Sequence, residues 1–358
     1  MDDRPDRSRR SDPRSTRKRA ASRAAETRRR NWLLLLEQIR TRTPYEDRAV
    51  GVFPSLLVQA ALPHKEVYAL GPDGTPIVIP TGRRSRDGTS ETTRALATQY
   101  QTVNGDLTLT VRAGLERGAI SRGIPYGGLA RLLLAYVVTE AKRRNSQVVD
   151  LGHTLTEFCE RVAITPSGGK NGRIPYLTDQ LLRLATCAIT YEWEKRRGYG
   201  AAPTLRGDNL FLATHYRFWH CDATPGSEAA SGGSLRLADD FWRDVARSCV
   251  PFDLRKVQLL RHHPTAIDLY LWLTHRLHKL DDDAEPGVAL SLDQLHAQLG
   301  SHYATGPDGR LAPKAKQEFG RAVTKALAVI RAAWPSLHVE RPRGRLVLHA
   351  TGPDIPRD

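Results

Sequence analysis

Between Gly123 and Ile189 the apolar positions change period repeatedly. Leu129, Leu132, Leu133, Tyr136 and Val137 recur at the i, i+3, i+4 spacing of an amphipathic helix, and Lys142, Arg143 and Arg144 fall in its last turn, where a helix dipole favours cations. Gln147–Leu151 suits a short strand. Thr154-x-x-Glu157 is then a capping box, in which the hydroxyl takes an orphan N–H and the glutamate returns to the cap's own N–H. Leu155, Phe158, Cys159 and Val162 face the core in the helix behind it, SGGKNG at 167–172 breaks that helix, and Leu177, Leu181, Leu184 and Ala188 mark the apolar side of a third. Two stretches rich in β-formers, Ala188–Glu194 and Asn209–His220, enclose a long basic tip, KRRGYGAAPTLRGDN. Helix, strand, capped helix, basic helix and hairpin, in that order, predict a winged helix-turn-helix.

A second run repeats that order. Ile267, Tyr270, Leu271, Leu273 and Leu277 face inward from a helix over Thr265–Leu280, and Val288–Leu290 is a strand. Ser291-x-x-Gln294 is another capping box, opening a helix over Leu292–Leu299 that Gly300 closes. Phe319, Val323, Leu327, Ile330 and Trp334 step by four, four, three and four along a last helix, and HVERPRGRLVLHA makes the hairpin after it. Upstream, Asn31 caps a short helix, WLLLLEQIRTR, and FPSLLVQAALP at 53–63 is a second short helical segment. Glu66–Leu70 and Pro76–Ile79 are strands flanking GPDGT, the basic stretch 81–91 reads as a mobile loop, and Asn104-Gly105 suits a two-residue type I′ hairpin.

The fold expected is therefore α+β and mainly helical, with two tandem winged-helix domains behind a disordered basic N-terminal tail. Its divisions are the tail at 1–30, a small α+β segment at 31–122 packing on the first winged helix at 123–221, a flexible linker at 222–234, the second winged helix at 235–350 and a C-terminal tail at 351–358. A chain of 358 residues is long enough for two or three cores.

Charge adds the partner. The formal net charge is +15, a balance that points to a polyanion, most often nucleic acid. Residues 1–30 carry 12 Lys/Arg against 5 Asp/Glu, +7 of that excess, with no apolar residue larger than Ala after Met1, so they bury no core. The third helix of the first unit offers Arg173, Tyr176, Gln180 and Arg183, with Lys170 before it, and its hairpin offers Lys195, Arg196, Arg197 and Arg206. The second unit matches these with Lys314, Lys316, Arg321 and Lys325 on the last helix and Arg341, Arg343 and Arg345 on the hairpin. Arg can bond the acceptor pair of guanine, Gln the donor and acceptor of adenine, and Lys or Tyr a phosphate. A basic helix face taken singly is usually just solvated, but two units ending alike favour double-stranded DNA as the partner.

Other chemistries find less support. GGKNG is not a phosphate-binding loop, because Asn171 follows Lys170 and Ile164 occupies the place of the first glycine, so no nucleotide cofactor is expected. A nickase would need a histidine pair on a metal with a tyrosine nucleophile. The adjacent His262 and His263 would point to opposite faces of a strand, and His275 and His278 share a helix face without a carboxylate cluster, so neither an enzyme nor a metal site is expected. Cys159, Cys187, Cys221 and Cys249 form no CxxC pair, which suits reduced thiols in the cytoplasm. Neither a signal peptide nor an apolar run of roughly 20 residues is present, so no membrane partner is expected.

Several of these stretches together carry a resemblance. IPYGGLARLLLAYVVTEA, DLGHTLTEF, the SGGKNG turn leading to DQLLRL, AIDLYLWLTHRL and, nearer the start, LVQAALPHK resemble the plasmid-encoded RepA family of replication initiators over roughly Phe53 to Ala350. One departure is Gly128-Leu129-Ala130 before Arg131, where that family has a proline beside the arginine. The resemblance implies a protein that binds repeated sites at a plasmid origin, helps open the duplex and recruits a host replication initiator and helicase. Whether it acts as monomer or homodimer stays open, as does the alternative of a winged-helix transcription regulator.

Overall fold

A computed structural model describes residues 13–84, 90–167, 172–195, 204–219, 232–278, 280, 288–299, 303, 311–351 and 354–355. The chain enters through a long helix, α1 (Pro13–Thr41), followed by β1 (Val50–Pro54) and the short α2 (Ser55–Gln59). Two hairpins come next, β2 (Val78–Arg84) with β3 (Ser90–Arg94), and β4 (Gln99–Asn104) with β5 (Leu107–Arg112). The first repeat then runs α3 (Gly127–Arg144), β6 (Val148–Gly152), α4 (Leu155–Arg161), α5 (Arg173–Thr186), β7 (Ala188–Lys195), β8 (Thr204–Phe211) and β9 (Ala213–Arg217). β10 (Gly233–Leu237), α6 (Asp239–Arg247), β11 (Cys249–Asp253) and α7 (Leu254–Leu260) lead to the second, which is α8 (Pro264–Leu277), β12 (Val288–Ser291), α9 (Leu292–Leu299), α10 (Pro313–Ala333), β13 (Val339–Glu340) and β14 (Arg345–Leu348). Among the described residues this makes an α+β fold of ten helices and five small antiparallel sheets.

The centre of the molecule is α3. The apolar stripe predicts an amphipathic helix, yet every residue from Ala130 to Ala141 is buried, because β1, α5, α7 and α8 close around it. Its polar members are satisfied inside: Thr139 Oγ1 accepts the Val52 N–H at 3.0 Å, and Glu140 pairs with Arg143 and Arg144. The glycines at its start allow close approach. A Cβ on Gly128 would stand 1.9 Å from the carbonyl oxygen of Arg261, a backbone atom that cannot swing away. Gly128→Ala should therefore force the start of α3 and the turn before α8 apart and cost at least about 2 kcal/mol, read as a lower urea midpoint.

Deep in this core a charged cluster joins three parts of the chain. Arg131 of α3, 1% exposed, donates to both carboxylate oxygens of Asp268 on α8 at 2.6 and 2.7 Å, and to the backbone carbonyls of Leu62, Pro63 and Gly127. His64 adds its Nε2 at 2.7 Å from the same carboxylate, while its Nδ1 lies 3.4 Å from the Thr265 hydroxyl. Burial keeps His64 below its ordinary pKa in spite of Asp268, so the ring is neutral and its Nε2–H donates. Burial alone would push the Asp268 carboxyl up, but Arg131 and His64 outweigh it and hold it down.

Several boundaries fall differently from the expected ones. β10 spans the end of the expected linker and the start of the expected second domain, but it lies between β6 and β9 and completes the sheet of the first repeat. β11 likewise pairs with β1 from the N-terminal segment, and one apolar core runs continuously from Phe53 to Leu348 through both repeats. The first hairpin is not a lone wing, since β7 and β8 continue β4 and β5 in a four-stranded sheet. Residues 13–30, expected in a disordered tail, extend α1 towards the N-terminus, in keeping with a stretch rich in Ala and Arg. The C-terminal half of α1 docks Leu36 and Ile39 on Leu259 and Ala333. At the other end Asp354 is buried against Lys256 and Tyr270 and not left in a tail.

Local signals hold better, with shifts of one residue. Thr154 Oγ1 takes the Glu157 N–H at 3.1 Å, but the returning Glu157 carboxylate takes His153 N–H and not the cap's own. Ser291 and Gln294 form the complete reciprocal box, at 3.2 and 2.8 Å. Asn104 pairs with Leu107, so the tight turn is Gly105-Asp106 with only Gly105 at positive φ (59°), the pattern of a type II′ turn. The basic stretch 81–91 contributes to β2 and β3, and its tip at 85–89 lies outside the described residues.

Candidate nucleic-acid interface

The second repeat presents free cations on a built surface. Along α10, Phe319, Val323, Leu327 and Ile330 are buried, while Lys314, Arg321 and Lys325 are exposed. At roughly 100° per residue these three project within about 40° of one another, opposite the buried side. The hairpin β13–β14 is tied beside this helix by Arg341, whose Nη2 donates to the Gly320 carbonyl at 2.9 Å. Gly320 makes that contact feasible, since a Cβ there would lie 2.9 Å from the same nitrogen. Beyond the tether, Arg343 and Arg345 are exposed around Gly344, which turns the chain at φ 77°. Among the described residues none of Lys314, Arg321, Lys325, Arg343 and Arg345 has a carboxylate partner, so all five are available to phosphate or base edges.

Two cations predicted on this surface have structural employment instead. Lys316 pairs with Asp293 of α9, which also receives the Leu311 N–H, and the pair sets the start of α10 against the preceding helix. Arg341 is the tether itself. Periodicity cannot separate a free cation from one that holds a neighbouring element, because both sit on the polar side.

In the first repeat the expected reading face is covered. Gln180 is 0% exposed and accepts the Tyr126 N–H at 2.9 Å. Arg183, 5% exposed, donates to Glu66 at 2.8 Å, to Asp179 and to the Ile124 carbonyl, with its guanidinium 5.3 Å from the centre of the Tyr126 ring. The space it occupies requires Gly123, at φ 83°, where a Cβ would stand 2.5 Å from Arg183 Nη1. The two residues are thus corrected from base-reading to structural: α5 spends its polar side on residues 66 and 124–126, not on solvent. Replacing Arg183 by Ala should cost about 2 kcal/mol of stability, Glu66 and Asp179 being partly screened by water, and should leave the pattern of preferred bases unchanged. A base-substituted site panel at matched folded fraction checks this.

What α5 does expose is its start. Arg173 and Tyr176 line a cleft of about 350 Å³ with Tyr126, Gly127, Arg261 and His262. Neither guanidinium has a carboxylate partner among the described residues, and Arg261 donates only to the Gln258 carbonyl at 3.2 Å. Burial and the neighbouring Arg173 draw the Arg261 pKa down, and burial with both arginines lowers that of His262, as in a site short of negative charge. The residues missed at this cleft are Arg261 and His262, and their signal was the basic run RHHP directly before a helix with Pro264 at its first position. Arg206 stands exposed on β8. Lys170, Arg196 and Arg197, and the side chain of Lys195, lie outside the described residues.

Fold and site together define a basic α+β protein in which cations without a carboxylate partner among the described residues gather on a helix-and-hairpin face and in a cleft. Residues 124–294 match the family described as "Plasmid encoded RepA protein". The match takes in Arg131, Asp268 and the whole first repeat but stops before α10, so it is narrower than the span over which the resemblance was drawn. No curated protein matches the chain. Among solved structures, one titled "Crystal structure of SeMet derivatives of domain2 and domain 3 of RctB" aligns at 10% identity and a TM-score of 0.44, covering 81% of this chain and 94% of that one. A second structure of RctB domains 2-3 aligns at 11% identity and 0.40, covering 78% and 95%. At these scores no residue is carried across from either.

Proposed function

We propose that the chain is a sequence-specific double-stranded DNA-binding protein that initiates plasmid replication, with both repeats acting as winged-helix units. The observation that carries this is the match of residues 124–294 to that family, joined to a second-repeat face whose five exposed cations lack carboxylate partners among the described residues. In this reading α10 enters a major groove, Arg343 and Arg345 contact the adjoining backbone or minor groove, and the Arg173–Arg261 cleft holds a phosphate. The first repeat positions more than it reads, its central α5 residues being engaged internally. Binding at repeated origin sites, duplex opening and recruitment of a host initiator and helicase follow as the role of such a clamp.

The test uses a supercoiled plasmid carrying the DNA that flanks the protein's own coding sequence. Footprints over direct repeats, with permanganate-reactive thymines appearing in a neighbouring AT-rich run, are expected. Footprints without any opening would favour a transcription regulator, and a covalently nicked product would overturn the initiator reading.

A further inference from the structure

The base of the second hairpin brings together three metal-ligating side chains. Val339 pairs with Leu348 across β13 and β14, both buried, so the residues one step outside, His338 and His349, face each other on the opposite, outer side. Glu340 shares that side, two residues from His338. The backbone confirms the pairing: His349 N–H donates to the His338 carbonyl at 3.2 Å. Each residue offers a ligand atom, and the three atoms lie within 4.8 Å of one another. His349 Nε2 stands 3.4 Å from Glu340 Oε1 and His338 Nε2 stands 3.8 Å from it, with the imidazole rings stacked at 4.2 Å. His349 Nε2 is shut off from solvent yet makes no hydrogen bond among the described residues. A nitrogen in that position has lost its water and gained only the long Glu340 contact, with no hydrogen bond, which a metal ion would remedy.

We propose that His338, Glu340 and His349 bind one transition-metal dication of the zinc class, with water completing the coordination. Around a tetrahedral zinc with bonds of 2.0–2.1 Å, donor atoms stand roughly 3.4 Å apart, close to the spacings here, and binding would turn the stacked rings so that both Nε2 lone pairs meet at the ion. Two imidazoles and one carboxylate suit zinc, cobalt, nickel or copper and not the oxygen-seeking magnesium or calcium. The bound ion would staple the ends of a ladder in which β13 contributes only two residues, and so stiffen the hairpin. The sequence expectation of no metal site rested on His262, His263, His275 and His278. The set here is invisible at that level because its third ligand is nine residues past its second and joins it only through strand register.

The untagged full chain, stripped with EDTA, is titrated with Co²⁺ and then with Zn²⁺ as competitor. One equivalent of Co²⁺ should give visible ligand-field absorbance that Zn²⁺ abolishes and millimolar Mg²⁺ does not, and Zn²⁺ should raise the melting temperature. H338A and H349A should each lose at least about tenfold in affinity, since losing a ligand costs no less than losing its support. E340Q, which keeps side-chain size on an exposed strand, should also lose the melting shift and decides the matter if a histidine variant folds poorly. Absence of the absorbance in the parent protein, or parent-like affinity in E340Q and the H338A/H349A double variant, would overturn the site. Neither outcome touches DNA binding, which is measured separately.

Discussion

Asp268→Asn should cost about 3–5 kcal/mol of folding stability, the penalty for leaving one member of a buried ion pair without its counter-charge. Arg131 would keep its bonds to the carbonyls of Leu62, Pro63 and Gly127 but would carry its charge uncompensated at 1% exposure. Arg131→Met should be comparably harmful because it strips those three carbonyls as well as Asp268. Since the residues share one network, the double variant should lose less than the sum of the two, with a coupling of about 1–3 kcal/mol in a urea-denaturation cycle. Additivity would show that Asp268 and Arg131 are not in contact as described.

The same cluster sets the direction of the pH dependence. His64 is neutral in the fold with its pKa below the ordinary 6.5, so the unfolded chain takes up a proton first as pH falls through that value, and stability declines from there. Asp268 is held below its ordinary 3.8, so its contribution is complete above that pH and is lost as pH falls further towards its folded value. Both terms have one sign: acidification from neutrality should weaken the protein, beginning with His64, and replacing His64 by Gln should flatten the upper part of that decline.

The largest functional effect is expected from removing Arg321, Lys325, Arg343 and Arg345 together. Each lost base contact is worth about 1–3 kcal/mol and each lost phosphate contact about 1 in the slope of log affinity against log salt. The fourfold alanine variant should therefore bind its site at least about 100-fold more weakly at physiological salt and show a shallower slope. Because these side chains are exposed and have no carboxylate partner among the described residues, the melting temperature should barely move. Fluorescence anisotropy over a salt series measures both quantities. Undiminished affinity would transfer the interface elsewhere, with the Arg173–Arg261 cleft as the next surface to test.

Local structure was largely legible in the sequence. The capping residues Thr154 and Ser291 start their helices where expected, and the Phe319–Trp334 stepping marks the buried side of α10. Such signals work because they involve residues a few positions apart. What escaped were long-range pairings: β10 with β6, β11 with β1, and Arg183 with Glu66, separated by 117 positions. The site suffered in the same way. Lys314, Arg321 and Lys325 were found because a free cation and a polar helix face coincide there, whereas Gln180 and Arg183 occupy an equally polar face that another part of the chain covers. Burial by a polar partner leaves no trace in hydropathy, so the two faces read alike until their surroundings are known.

The position of β10 governs how the molecule can be made. Its neighbours β6 and β9 are both synthesised earlier, yet each keeps an unpaired edge until residues 233–237 have left the ribosome. A fragment cut at the Gly- and Ser-rich stretch before β10 would carry two adhesive edges and should aggregate, although the composition there invites the cut. The nascent chain faces the same exposure for as long as translation of that stretch lasts, which makes the interval before β10 emerges the point where chaperone protection matters most.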